Sequence, residues 1–117
     1  MRAELENKLF QRWSWLDVEG LEVGDGWYAI LWRLFTDLEP LVAEVEPEAK
    51  QPFAVLRVRE KLGGLRVYVN WRVDTICERI QAAEEESFLV CEICGEPGSR
   101  RTNRWVRVRC VEHGDEE

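Results

Sequence analysis

A chain of 117 residues is about one ordinary domain long and leaves no room for a second full domain. Apolar residues make up 45% of it and include six Trp, too much burial potential for a disordered sequence, while 33% charged residues keep a surface solvated. The net charge of −7 argues against a wholly basic nucleic-acid binder, but the charge is unevenly spread: residues 1–49 sum to −7, residues 50–109 to +4, and the last eight add four acids and no Lys or Arg.

No stretch approaches the roughly 18 to 20 uninterrupted apolar residues of a membrane span. Met1-Arg2-Ala3-Glu4 leads into a charged amphipathic segment instead of a signal peptide. The expected location is therefore the cytoplasm, with no membrane partner. Leu5, Leu9, Phe10 and Trp13 fall at helical spacing and predict a first helix over 3–13. Residues 15–24 read as a loop covering the core, with Asp25 as the N-cap of a second helix over about 26–39. On that helix Trp27, Ile30, Leu31, Leu34, Leu38 and Leu41 share one side, which Phe35, Tyr28 and Trp32 widen beyond a single packing layer. Burial on two sides accounts for such width. Tyr28 and Trp32 are also candidate aromatic anchors for a partner. Pro40 is expected to end or kink the helix, because its ring removes an amide donor.

From Phe53 the period changes to two. Ala54, Leu56 and Val58 alternate with Val55, Arg57 and Arg59, and beyond Lys61-Leu62-Gly63-Gly64 the residues Leu65, Val67, Val69 and Trp71 alternate with Arg66, Tyr68, Asn70 and Arg72. This predicts a β-hairpin with Arg57, Arg59, Arg66, Tyr68 and Arg72 on its outer face. A third helix over 73–87 carries Val73, Ile76, Cys77, Ile80 and Ala83 inward, which makes Cys77 a buried small hydrophobe. The acidic run Glu84-Glu85-Glu86 in its last turn reads as a solvated end.

Cys91-Glu92-Ile93-Cys94, then 15 residues, then Cys110-Val111-Glu112-His113 is the strongest motif in the chain. Two Cys separated by two residues turn both sulfurs toward one point, and a second pair returned by a hairpin completes a tetrahedron. Three thiolates and an imidazole suit Zn²⁺, and a closed set of four protein ligands is the structural kind of site. A disulfide or free thiols are the alternative, which a reducing compartment disfavours. The expected fold is α+β: a small helical layer packed on a β-hairpin (1–88), followed by a zinc-ribbon-like hairpin (89–117) packed on it.

His113 is the sole His, so a metal-bound His113 leaves no Ser-His or Cys-His nucleophilic pair. Neither a phosphate-binding nor a dinucleotide-binding Gly-rich motif is present, and no His-x-Glu precedes a Pro-Cys-x-x-Cys. The expectation is a non-enzyme. Around the metal pairs Arg100, Arg101, Arg104, Arg107 and Arg109 cluster, and alternation puts Trp105, Arg107 and Arg109 on one face. Arginine beside an aromatic suits phosphates and bases, an acidic protein partner, or the acidic helix ends of the protein itself.

Arg59-Glu60-Lys61-Leu62-Gly63-Gly64-Leu65-Arg66-Val67-Tyr68, with Cys91-Glu92-Ile93-Cys94-Gly95, the segment 105–113 and Gly26-Trp27, resembles a group of small uncharacterised proteins of phage and prophage regions. The resemblance implies a phage accessory protein in a bacterial host cytoplasm, a class rich in proteins that bind host machinery, including anti-CRISPR and other anti-defence inhibitors. Two functions stand as the main expectations, with a structural or assembly component of a larger particle as a third. One is a protein that binds a host protein, through the acidic half (Glu44, Glu46, Glu48, Glu84 to Glu86), through Tyr28 and Trp32, or through the basic β face. The other is a nucleic-acid-binding module using Arg57, Arg59, Arg66, Tyr68, Trp105, Arg107 and Arg109. Oligomeric state has no signature in the sequence.

Overall fold

The structure is a computed structural model that describes residues 1–102 and 106–114. Three helices, α1 (Ala3–Arg12), α2 (Tyr28–Val45) and α3 (Asp74–Ser87), accompany two antiparallel hairpins, β1 (Val55–Lys61) with β2 (Gly64–Val69) and β3 (Ser99–Arg101) with β4 (Arg107–Arg109). The α+β architecture is the one the periodicities predict.

α2 is the central element. Ile30, Leu31, Leu34, Phe35, Leu38 and Val42 are buried along it, an arc wide enough to meet α3 and the first hairpin on one side and the α1 region on the other. Trp13 packs edge-on against Trp32 and Phe35, with ring centroids 4.8 and 5.5 Å apart, and gives its indole N–H to Glu39 at 2.8 Å. Two ion pairs, Arg33 with Glu86 and Arg79 with Asp37, tie α2 to α3.

α2 departs from expectation at both ends. It runs through Pro40 to Val45, six residues beyond the predicted stop. Pro40 and Thr36 are both exposed, so the Thr36 carbonyl that would have taken the missing amide lies on the solvated side, where solvent can satisfy it. Asp25 does not cap α2. Its carboxylate instead accepts the backbone N–H of Arg2 at 2.8 Å, at the start of α1.

The first hairpin turns at Leu62 and Gly63, whose φ values of 52° and 87° are the paired left-handed conformations of a tight two-residue turn. Its facial pattern differs from strict alternation because the register shifts between Val55 and Arg57. A β-bulge there carries Val55 and Val58, three residues apart, to the same buried face and leaves Leu56 53% exposed. Both edges of this two-stranded sheet are covered. Residues 15–22 run beside β1, with Val55 N–H donating to the Trp15 carbonyl and Glu22 N–H to that of Val58. On the β2 side, Leu65 N–H donates to Ser87 Oγ at 3.0 Å and Val67 N–H to Glu84 Oε2 at 3.1 Å. Glu84 is thus engaged inside the fold, against the expectation of a solvated end, whereas Glu86 makes a surface ion pair with Arg33 and Glu85 is exposed. Cys77 is exposed: the stripe of α3 that faces inward is Ile76, Ile80 and Ala83, and Cys77 lies one position past its edge.

Candidate metal centre

A tight knuckle holds the first pair of ligands. Cys91 N–H donates to the Glu96 carbonyl at 2.8 Å, Gly95 N–H returns to the Cys91 carbonyl at 2.9 Å, and Gly98 N–H reaches Leu89 at 2.9 Å. Gly95 takes φ 83°, a conformation costly for any residue with a Cβ. The second pair arrives on β4, whose Val108 is wholly buried in the common core and whose carbonyl accepts Glu92 N–H at 3.2 Å.

This arrangement brings Cys91, Cys94, Cys110 and His113 together, with all four donor atoms within 4.8 Å of one another. Cys94 Sγ and Cys110 Sγ are 3.6 Å apart, Cys91 Sγ and His113 Nδ1 3.6 Å, and Cys110 Sγ and His113 Nδ1 3.1 Å. Metal–sulfur bonds of about 2.3 Å and a metal–nitrogen bond of about 2.0 Å set tetrahedral edges near 3.5 to 3.8 Å, which the two 3.6 Å separations match and the 3.1 Å separation undercuts. Disulfide bonding, by contrast, needs sulfurs about 2.05 Å apart, and the cysteines are free. The quartet can therefore hold a metal ion.

Electrostatics single out one sulfur. Burial alone would push the Cys91 thiol up, but the backbone N–H groups of Cys94, Cys110 and Ile93 directed at it bring its pKa down to about 6. Cys94 receives the Glu96 amide, yet desolvation and the neighbouring sulfurs of Cys110 and Cys91 push it up to about 11. Amides that solvate a thiolate prepare a ligand set for a cation.

The knuckle is seated on the segment 24–27. Gly26 N–H donates to the Glu92 carbonyl at 2.7 Å, Gly24 N–H to Glu92 Oε2 at 3.0 Å, and Trp27 Nε1 to the Val90 carbonyl at 2.9 Å. Glu92 also pairs with Arg109 at 3.3 Å, and both side chains are almost buried, at 14% and 11% exposure. Sequence reasoning did not assign this seat; its signal is the Gly-x-Gly-Trp spacing, since close backbone approach requires the absence of Cβ.

The other predicted residues fall in three places. Arg57, Arg59, Arg66 and Tyr68 do share the outer face of the first hairpin, where Arg57 faces Tyr68 and Arg59 faces Arg66 across the strands. Arg57 is balanced by Glu22 at 2.9 Å, whose carboxyl this hydrogen bond holds below its ordinary value. Among the described residues the side-chain hydrogen bonds of Arg59 and Arg66 go to neighbouring carbonyls, those of Glu60 and Leu65. Tyr28 is half-buried and Trp32 is 37% exposed beside it, their rings 6.1 Å apart. Arg107 sits on β4 with Arg109, which Glu92 holds inward; Trp105 and Arg104 lie outside the described residues. Glu44, Glu46 and Glu48 are exposed at the far end of α2.

No helix among the described residues is long and apolar enough to cross a membrane. No protein-family model, curated protein or solved structure matches the chain.

Proposed function

We propose that this chain is a non-enzymatic, zinc-stapled binding protein of the phage accessory kind, which acts in a bacterial cytoplasm by covering an acidic surface of a host protein. Inhibition of a host defence system is the form of that activity the resemblance implies. Zinc is the ion of choice because three thiolates and an imidazole gathered within 4.8 Å of one another match its ligand preferences, and a closed four-ligand shell, leaving no position for a reacting water, makes the site structural.

The observation that carries the partner reading is the outer face of the β1–β2 hairpin. Arg59 and Arg66 stand directly opposite one another with no ion pair among the described residues, only the longer-range attraction of Glu22 for Arg59 and of Glu84 for Arg66, beside Leu56 and Tyr68 at 53% and 41% exposure. Like charges in directly opposed positions cost stability, a cost that an acidic surface laid over them offsets. Arginine and tyrosine are also the side chains that dominate protein interfaces. The test is affinity capture from host lysate with the zinc-loaded protein against an Arg59→Glu/Arg66→Glu control. A stoichiometric protein partner lost in the control supports the reading; identical captures by both proteins sink it.

The second reading, a nucleic-acid-binding module, draws on the junction of the two hairpins. Arg100 Nη2 donates to the Leu62 carbonyl at 3.3 Å, and Gly63 lies against Val106 and Arg107, so Arg100 and Arg107 of the second hairpin lie against the turn of the first, which Arg59 and Arg66 flank. Binding of labelled DNA or RNA that weakens steeply with salt and is lost on Arg66→Glu and Arg107→Glu would favour this reading over the first.

A further inference from the structure

The β3–β4 hairpin has a hollow that borders the metal centre at Cys110. Ser99 pairs with Arg109 and Arg101 with Arg107, so these four side chains share one face while Val108 enters the core from the other. On that face lies an open hollow of about 220 Å³ lined by Pro97, Gly98, Ser99, Arg101, Arg109, Val111 and the metal-ligand candidate Cys110. None of its lining residues is acidic.

Both guanidinium groups are only partly used. Arg109 gives Nη1 to Glu92 Oε1 at 3.3 Å and to the Val108 carbonyl at 2.9 Å, and Arg101 gives Nη2 to the Cys110 carbonyl at 3.4 Å. The Nε of each is shielded from water and has no hydrogen-bond partner among the described residues. Buried N–H groups of charged side chains are rarely left without an acceptor, and the usual explanation is a bound water or ion. Both belong to arginines that line one hollow, which Ser99 also lines.

We propose that this hollow binds a phosphate-class oxyanion, held by Arg101 and Arg109 with Ser99 as a third donor. A tetrahedral phosphate offers enough oxygens to accept from two guanidiniums and a hydroxyl at once, whereas one carboxylate is filled by a single arginine fork. The donors come from two strands whose pairing the metal ligands anchor, so the site is preformed once the metal is bound. It is independent of the protein-partner reading, because it stands or falls on the ion alone.

The experiment is NMR of the arginine Nε–H resonances in the zinc-loaded full chain, titrated with inorganic phosphate and, separately, with a short single-stranded oligonucleotide lacking terminal phosphates. The Arg101 and Arg109 signals should shift together and saturate. Arg101→Gln should weaken phosphate binding about tenfold or more with the metal content unchanged. Ser99→Asp, which keeps both arginines but puts a carboxylate at the wall, should block binding as well. Phosphate bound more tightly than the oligonucleotide identifies a free phosphate or monoester as the ligand, and the reverse identifies a nucleic-acid backbone. Signals unmoved by either probe, or shifts that persist in both variants, overturn the proposal and leave the two arginines as counter-charges to the thiolate centre.

Discussion

Gly26 lies directly against Cys91: a Cβ built on Gly26 would collide with the Cys91 carbonyl oxygen and with the backbone of Glu92. The same holds for Gly24 and the Glu92 carbonyl. The ligand knuckle and the N-terminal end of α2 therefore meet backbone to backbone, and the metal centre and the helical layer share one packed structure.

Gly26→Ala should accordingly separate the knuckle from its seat. The added methyl has no space, and the 2.7 Å hydrogen bond from Gly26 to Glu92 must lengthen. Overpacking at a rigid backbone contact costs about 1 to 3 kcal/mol. Chemical denaturation of the zinc-loaded protein measures this; a variant as stable as the parent would show that the seat yields freely.

Chelation of the metal, or Cys110→Ser, should loosen residues 89–114 and reach the core through Trp27. The indole N–H of Trp27 donates to the Val90 carbonyl at 2.9 Å, so its NMR resonance reports the knuckle. We expect that resonance to shift on chelation and the Cys110→Ser protein to lose more than about 2 kcal/mol, since metal binding contributes directly to folding in small thiolate sites. An unchanged Trp27 signal in the metal-free protein would separate metal binding from packing.

Leu62 is held at φ 52° while its side chain is 62% exposed, so it carries left-handed strain with little burial in return. The backbone is clamped by Glu60 Oε2, which accepts Gly63 N–H at 2.6 Å, and by Arg100 on the Leu62 carbonyl. Leu62→Asn should keep the turn and raise stability by about 1 kcal/mol, as asparagine tolerates that conformation better. A loss of stability would mean that the leucine side chain packs more than its exposure indicates.

Glu84 gives the fold a pH dependence of defined sign. Burial raises its carboxyl pKa above the ordinary 4.5, against the hydrogen bond from Val67 and the attraction of Arg66. Below pH 4.5 it is protonated in both folded and unfolded chains. As pH rises from there through its folded value, the unfolded chain releases the proton first, so this stabilising contribution is lost and stays lost above it. Glu84→Gln, which can still accept from Val67, should remove that part of the slope. Urea denaturation of both proteins across this range gives the difference, and parallel curves would contradict it.

The sequence discloses what is local. The Cys-x-x-Cys and Cys-x-x-His pairs place their own donors, so the ligand quartet is readable before any fold is known, and the alternation around Lys61-Leu62-Gly63-Gly64 locates the first hairpin. Features decided by distant neighbours are not readable in that way. The bulge at Leu56 and Arg57 has no residue signature, and it exchanges faces in the middle of an alternating run. Asp25 has the chemistry of a helix cap, but the amide it meets is that of Arg2, 23 residues earlier. Pro40 is a helix breaker by propensity, and the apolar residues that follow it, Leu41 and Val42, carry the helix onward by packing. Arg109 reads as an exposed cation by alternation and is drawn inward by Glu92, which no spacing announces.

The central claim is that Cys91, Cys94, Cys110 and His113 hold one zinc ion. X-ray absorption spectroscopy on the purified protein, combined with metal quantitation, tests it most directly. The account predicts one zinc per chain with three sulfurs at about 2.3 Å and one nitrogen at about 2.0 Å, the nitrogen being lost in His113→Ala. A metal-free protein that stays fully folded, or a zinc shell with oxygen from water in place of one of these ligands, would contradict it.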